Sequence, residues 1–210
     1  MKSLDIKIKE LSYIDGLYEF VLENCFIAGG AVRDTLRGKE PKDYDLFFRT
    51  EVAKEVFIAR FSKHFSETGL GNFNYGKFQF ITLYTGTPQE VVSTFDWNVN
   101  MVFYEFGSRG VYQHTINTLH FNVNARKPLS ALLRLPYLIE KGFKIEGKEL
   151  MFLVSFISQV TNLKAGSDLS EQFEFMSSGG TYVDSASAER AVSRASEEAV
   201  KHSPLYKAMK

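Results

Sequence analysis

The run from Ile27 to Phe48, IAGGAVRDTLRGKEPKDYDLFF, constrains the fold more than any other part of the chain. A short apolar strand leads into Gly29 and Gly30, a short helix follows, and a second strand carries two aspartates. Because side chains alternate across a strand, Asp43 and Asp45 are expected on the same face. The alternation of helical and strand periodicities over the first ~125 residues predicts a mixed α+β core.

The residue types in this run suit a site for a metal ion and a phosphate group. Two glycines after a strand let a phosphate approach the backbone, and the N-terminus of the following helix favours an anion. Two carboxylates on one strand face can bridge divalent cations, which neutralise a triphosphate and orient an attacking hydroxyl. Oxygen ligands favour Mg²⁺, with Mn²⁺ as the alternative. A Gly-Gly pair alone is usually a turn, and a D-x-D pair alone is usually a solvated strand end. The hypothesis of a metal and phosphate site therefore rests on the occurrence of both in this order.

The run resembles the head domain of the poly(A) polymerase and CCA-adding tRNA nucleotidyltransferase family, within the DNA polymerase β-like superfamily. That family has G-G-x-V-R-D followed by D-x-D, and the matching residues here are Gly29, Gly30, Val32, Arg33, Asp34, Asp43 and Asp45. The resemblance implies that Asp43 and Asp45 are catalytic residues that bind the metal ions. It also implies that the glycine turn and Arg33 hold the triphosphate, with Asp34 orienting Arg33 by a charge-assisted hydrogen bond.

A second stretch, TFDWNVNMVFY from Thr94 to Tyr104, is similar to the family motif R-R-D-F-T-I-N-A-L-A-Y. Asp96, Asn100 and Tyr104 fall on matching positions. The resemblance implies that Asp96 and Asn100 contact the nucleoside and that Asp96 is a further catalytic candidate. The alternative is that Asp96 only caps the element that follows it.

The sequence departs from the family pattern at two places. Thr94 and Phe95 replace two arginines, which removes charge that a triphosphate or a base contact would use. Gln79 stands near the start of the next strand, where the family often has an acidic residue. Three alternatives stay open: Asp96 substitutes for that residue, the site works with two carboxylates, or the site is impaired.

Periodicity predicts the remaining elements of the first part of the chain. The predicted elements are helices at 11–24, 51–64 and 89–95, strands at 66–70, 78–84 and 99–106, a hairpin turn at 107–110 and a return strand at 111–115. In the helix at 51–64, we expect the inward face to carry Val52, Val56, Ala59 and Phe61. The segment around Gly71, Asn72 and Gly76 is expected to be a turn.

From Pro128 the pattern becomes helical. Helices are expected at 129–141, ending at Gly142, and at 148–160. The stretch from Leu133 to Ile145 is similar to the family's neck signature, with Pro136 interrupting the helix. The predicted organisation is therefore a nucleotidyltransferase head with a mixed sheet flanked by helices (1–125), a small helical neck (126–162) and a polar C-terminal arm (163–210).

Composition argues against several classes of protein. Lys+Arg and Asp+Glu balance at 25 each, so the chain lacks the basic excess of a dedicated nucleic-acid binder. The single cysteine, Cys25, excludes an intrachain disulfide and a Cys-rich zinc site. The sequence shows no signal peptide and no apolar stretch of about 20 residues, so we expect a cytoplasmic protein without membrane contact.

These observations lead to one hypothesis of function and two rivals. The hypothesis is a metal-dependent nucleotidyltransferase that moves a nucleoside monophosphate from an NTP to a hydroxyl, with an RNA 3′ end among the candidate acceptors. One rival has the same fold and another acceptor: a small molecule, a nucleotide or a protein side chain. The other is a degenerate head that serves as a binding or structural subunit. The polar arm is expected to pack on the head or on a second copy, which would make a homo-oligomer.

Overall fold

The computed structural model describes residues 2–68, 71–107, 117–125 and 128–163. The chain divides into two compact units, residues 1–115 and 116–210. The predicted return strand at 111–115 and the arm from residue 164 onward lie outside the described residues.

The first unit alternates helices and strands, as the sequence predicts. Its elements are α1 (Lys2–Ile8), α2 (Leu17–Asn24), β1 (Cys25–Ala28), α3 (Gly30–Leu36), β2 (Tyr44–Phe48), α4 (Glu51–Phe61), β3 (Ser66–Glu67), β4 (Phe73–Tyr75), β5 (Phe78–Thr85), α5 (Pro88–Val92) and β6 (Phe103–Tyr104). Short 3₁₀ turns lie at Lys9–Tyr13, Ser62–His64 and Asn98–Asn100.

The strands of this unit form one sheet in the order β3-β4-β5-β2-β1-β6. The central pair, β2 and β5, is parallel, and each other pair of neighbours is antiparallel. The sheet is therefore mixed, and the predicted α+β class is confirmed.

The sheet buries a different cluster on each face. On one face, which we call the Phe57 face, the ring of Phe57 from α4 stacks on Phe80 at 4.4 Å and lies 5.1 Å from Phe48. On the other, which we call the Phe47 face, Phe26 and Phe47 pack with α5 residues Val91 and Val92. Alternating side chains divide each strand between the two faces.

The inward face of α4 differs from the prediction. Val52 is 67% exposed, and Val56 and Ala59 are exposed as well. The buried residues are Ala53, Phe57 and Phe61, spaced four apart, and of these the prediction named only Phe61. Both sets fit a helical period, and the large aromatic rings take the core because they bury the most apolar surface.

Two further predictions for this unit are wrong in detail. Strand β4 begins inside the segment interpreted as a turn, so the turns shrink to the surroundings of Gly71 and Gly76. The predicted strand 99–106 is reduced to β6 and begins instead as a 3₁₀ turn. The backbone N–H of Asn100 donates to the carbonyl of Trp97 at 2.8 Å, which curls the chain before it can enter the sheet.

The second unit contains α6 (Pro128–Glu140), α7 (Gly147–Leu163) and a parallel pair of short strands, β7 (Thr118–Leu119) and β8 (Lys144–Ile145). Helix α6 continues through Pro136, so the predicted interruption is wrong. Gly142 follows its end with φ of 87°, the left-handed conformation expected of a C-terminal glycine. Neither α6 nor α7, nor another helix in the described part of the chain, is long and apolar enough to cross a membrane.

Candidate active site

The two aspartates of the D-x-D motif lie at the start of β2, the central strand of the sheet. Asp43 precedes the strand and is exposed, and Asp45 is half-buried within it. Tyr44, between them, is buried in the cluster on the Phe57 face. Because side chains alternate along a strand, Asp45 belongs to the opposite, Phe47 face.

The glycine turn follows β1, the neighbour of β2. Strand β1 pairs with β2 so that Ile27 stands opposite Leu46, and one further step sets Ala28 opposite Asp45. Ala28 also belongs to the Phe47 face, so the chain enters Gly29 beside the aspartate on the same face. Sheet register alone therefore brings the turn and the D-x-D strand to one end of the sheet.

Gly29 has backbone angles that a side chain would disfavour. Its φ is 76° and its ψ is −133°, outside the regions that L-residues commonly occupy. Its N–H donates to the carbonyl of Val102 at 2.8 Å, and a Cβ at this position would lie 3.4 Å from the ring of Phe95. The first glycine of the motif is thus needed for the path of the chain. The helix that follows, α3, has only seven residues.

Four of the residues assigned to nucleotide binding form a buried polar network. Arg33 Nε donates to Asp34 Oδ1 at 2.8 Å, and Arg33 Nη1 donates to Asn100 Oδ1 at 2.6 Å. Asn100 Nδ2 in turn donates to Asp96 Oδ1 at 3.1 Å. All four side chains belong to residues that are at most 6% exposed.

This network joins the glycine-turn helix to the segment before β6. The positive charge of the Arg33 guanidinium is neutralised by the carboxylate of Asp34. Their contact is the charge-assisted hydrogen bond that was expected from the sequence. Asp96 also accepts from the backbone N–H of Trp97 at 3.0 Å. The 3₁₀ turn that follows has Trp97 at its N-cap position and no side-chain capping hydrogen bond, so Asp96 does not cap it. The two matched motifs therefore meet in the fold through buried hydrogen bonds. A contact of Arg33, Asp96 or Asn100 with a nucleotide stays a prediction.

The register also places Gln79 next to the D-x-D motif. Gln79 on β5 stands directly opposite Asp45, and Asn74 on β4 stands opposite Gln79. Gln79 was a candidate from its position in the sequence, whereas Asn74 was not. The alternation Phe73-Asn74-Tyr75 could have revealed it, because a single polar residue between two aromatic ones is typical of a strand with one buried face.

The predicted donor set for a metal ion consists of the two D-x-D carboxylates. No group of three or more His, Cys, Asp or Glu residues that could hold a metal is found among the described residues. Two carboxylates nevertheless fit Mg²⁺, which keeps several waters and completes its octahedron with substrate phosphates. Both side chains can be reached by such a substrate, since Asp43 is exposed and Asp45 is half-buried.

A family model described as "Gabija anti-defense 2 family protein" matches residues 5–123, more than half of the chain. The chain belongs to the Gabija anti-defense 2 family. The matched range of this family member contains the glycine turn, the D-x-D motif and the whole buried network. No curated protein matches its sequence.

Solved structures show what this Gabija anti-defense 2 family chain is similar to in fold. One is a Thermotoga maritima CCA-adding enzyme complexed with tRNA-CCA, at 13% identity and a TM-score of 0.50, covering 93% of this chain and 55% of that one. Another is a tRNA-processing enzyme, at 15% identity and a TM-score of 0.47, covering 85% of this chain and 54% of that one. The similarity to the T. maritima enzyme shows that the α+β fold is similar to that of nucleotidyltransferase heads. The chain spans about half the length of both proteins.

Proposed function

We propose that this chain is a metal-dependent nucleotidyltransferase that moves a nucleoside monophosphate from an NTP to a hydroxyl acceptor. The observation that carries the proposal is the register of β1, β2 and β5. It brings the Gly29–Gly30 turn and the D-x-D carboxylates to one end of the sheet, on a fold similar to nucleotidyltransferase heads.

Asp43 and Asp45 would hold Mg²⁺ or Mn²⁺, which supplies charge neutralisation for the triphosphate. The backbone at Gly29 and Gly30 binds the triphosphate, because no side chain keeps a phosphate away from it. Arg33 adds positive charge behind the turn. Asp96 and Asn100 support the nucleoside side of the site through the same network.

In the transfer itself, the acceptor oxygen forms a bond to the α-phosphorus while the bond to the bridging oxygen breaks. Pyrophosphate leaves with the electron pair, and the hydroxyl proton passes to solvent. The protein's contribution is mainly to position the two reactants and to hold fixed charges beside them, which is typical of phosphoryl-group transfer.

Two descriptions bear on the acceptor. The similar T. maritima enzyme was solved with tRNA, which supports an RNA 3′ end as one candidate. The Gabija anti-defense 2 family is described by its action against Gabija, a defence system. We propose that the transfer reaction is the activity by which this chain acts against that system.

A specific observation favours a second candidate function, a degenerate head kept as a binding or structural subunit. Arg33 is only 6% exposed, and both Nε and Nη1 of its guanidinium already bond to protein groups. Phe95 stands where the poly(A) polymerase and CCA-adding enzyme family has an arginine. The Phe95 ring packs on Phe47, with 5.7 Å between the ring centroids. A head of this kind would keep the fold and show no metal-dependent binding of NTP.

Isothermal titration calorimetry with each NTP, with and without Mg²⁺, separates the two functions. We expect binding that requires the metal and that is lost in Asp43→Asn and Asp45→Asn, since each removes a ligand charge. Asp15→Asn is the matched control, because Asp15 is an exposed aspartate outside both motifs. Equal affinity in all four proteins, or no binding in any, would support the degenerate head. Pyrophosphate release in the presence of total RNA then tests transfer.

A further inference from the structure

A row of uncharged polar side chains continues from Asp45 toward the β3 edge of the sheet. Gln79 stands opposite Asp45, Asn74 opposite Gln79, and Ser66 opposite Asn74. Directly opposed residues share a face, so these side chains lie on the Phe47 face with Asp45. We call Ser66, Asn74 and Gln79 the polar row.

The neighbouring row on the same face is apolar and covered. It contains Ile81, Phe47 and Phe26, which pack with Val91 and Val92 of α5. In the polar row, by contrast, Ser66 is exposed and Asn74 and Gln79 are half-buried. The Phe47 face is therefore closed by α5 over its apolar part and accessible over its polar part.

The side-chain carbonyl oxygen of Asn74, Oδ1, is buried without a hydrogen-bond donor. A buried acceptor without a donor is unfavourable by about 1–3 kcal/mol. Because this oxygen is covered, the Asn74 side chain would have to turn toward the accessible side of the row to present it to a ligand. A hydroxyl group that entered there would then donate to the oxygen and remove the penalty. The row is thus suited to a ligand that brings a hydroxyl donor.

The two sides of Asp45 differ in what they can bind. On the β1 side lies the Gly29–Gly30 turn, where the triphosphate is proposed to bind. On the β5 side lies the polar row, which contains no Lys or Arg. A nearby cation, Lys77, forms an exposed ion pair with Glu40 at 2.7 Å. An RNA strand needs positive charge along its phosphates, and the row offers none.

We propose that the polar row is the acceptor side of the site and that it takes an uncharged hydroxyl-bearing group, such as a Ser, Thr or Tyr side chain or a polyol, rather than an RNA end. This inference rests on the proposed function. Gln79 and Asn74 position the hydroxyl by hydrogen bonds, so that its oxygen bonds to the α-phosphorus as pyrophosphate leaves. They are positioning residues, and the metal-bound NTP does not depend on them.

The test uses the full chain with α-labelled NTP, Mg²⁺ and three acceptor probes: glycerol, a mixture of Ser-, Thr- and Tyr-containing peptides, and a short single-stranded RNA. We expect labelling of glycerol or of the peptides, which also distinguishes a polyol from a protein side chain. Their labelling should depend only weakly on salt, because an uncharged acceptor releases no counterions. Preferential labelling of the RNA, falling steeply with salt, would overturn the inference.

The variants Asn74→Ala and Gln79→Ala test the row itself. We expect each to raise the KM for the hydroxyl probe or lower transfer by about tenfold, the effect of one lost hydrogen bond. The KM for the NTP and the metal-dependent NTP affinity should stay within about twofold of the starting protein. Glu67→Gln is the matched control, because Glu67 adjoins Ser66 but stands opposite Phe73, on the Phe57 face.

Three results are distinguishable. Normal NTP binding with unchanged transfer in both row variants would refute the inference and leave the proposed function standing. Failure of the starting protein to bind NTP would refute the proposed function, and the inference with it. If Gln79→Ala did not fold, as judged by circular dichroism, Gln79→Ser and Asn74→Ala would provide the same comparison.

Discussion

Two polar groups flank the start of β2, and they differ in how much solvent they meet. The network of Arg33, Asp34, Asp96 and Asn100 is buried and bonded internally. The D-x-D motif and the polar row beside it are exposed or half-buried. The network and the D-x-D motif come from sequence motifs, whereas the polar row follows from the pairing of the strands. Burial therefore separates residues that hold the site in shape from residues that can meet a substrate.

The difference in burial between the two groups predicts different effects of substitutions on the free energy of unfolding. A buried charged network that loses one member leaves the other members without compensation, which is strongly destabilising. An exposed carboxylate near a second one repels it, so its removal hardly lowers stability. We therefore expect substitutions in the network to act first on folding, and substitutions in the open group to act on binding.

The largest effect on stability is expected for Arg33→Ala. It leaves the buried Asp34 carboxylate and the Asn100 amide without their partner, which should lower the free energy of unfolding by about 3–5 kcal/mol. Urea unfolding followed by tryptophan fluorescence measures this directly, because Trp97, the only tryptophan, lies next to Asp96 in the chain.

Arg33→Lys is the control for charge. Lysine keeps the positive charge but cannot direct two N–H groups at Asp34 and Asn100, so most of the loss should remain. If Arg33→Ala unfolded at the same urea concentration as the starting protein while NTP affinity fell, the comparison would be reversed. Arg33 would then act on the substrate and not on the fold.

A smaller effect is expected where the glycine turn meets the network. Gly29→Ala forces a side chain into backbone angles of 76° and −133° and sets a Cβ 3.4 Å from the Phe95 ring. We expect a loss of about 1–3 kcal/mol in the free energy of unfolding. Gly38→Ala is the matched control: φ at Gly38 is 69°, and nothing lies within 4 Å of the added Cβ.

The strain alone should make Gly38→Ala unfavourable by about 1 kcal/mol. The excess at Gly29 then measures the added strain of its ψ of −133° together with the contact between the new Cβ and the Phe95 ring. Equal losses at both glycines would show that Phe95 yields freely, and that the turn owes its shape only to its own backbone.

Much of the fold could be predicted from the sequence, because local signals were strong where elements are regular. The strand expected at 25–28 is observed as Cys25–Ala28, and the strand expected at 44–49 ends one residue earlier, at Phe48. The helix predicted at 11–24 ends at Asn24 as expected but begins only at Leu17, because a 3₁₀ turn occupies Lys9–Tyr13. The predicted inward face of α4 was wrong because two faces of this helix have apolar residues at helical spacing. Val52 and Val56 lie on one face, and Ala53 and Phe57 lie on the other. Only the sheet beneath the helix decides between them.

The candidate site was predictable in its residues but not in their surroundings. The motifs named Arg33 and Asn100, which are 67 positions apart, yet no local pattern shows that the two side chains bond. Asn74 was missed because its meaning comes from register: it matters only once β4 is paired with β5, and β5 with β2. Long-range pairing of this kind is set by the whole sheet.

The smallest effect on stability is expected for Asp43→Asn. Asp43 is exposed and precedes the strand, so its loss should change the free energy of unfolding by less than about 0.5 kcal/mol. The sign should favour the variant slightly, because one of two negative charges only two residues apart in the chain is removed. Added Mg²⁺ with NTP should raise the melting temperature of the starting protein, since a ligand that binds only the folded state stabilises it. Asp43→Asn should lose that rise. A variant that melted several degrees lower without ligand would show that Asp43 belongs, like Arg33, to the framework, and the contrast between the two polar groups would fail.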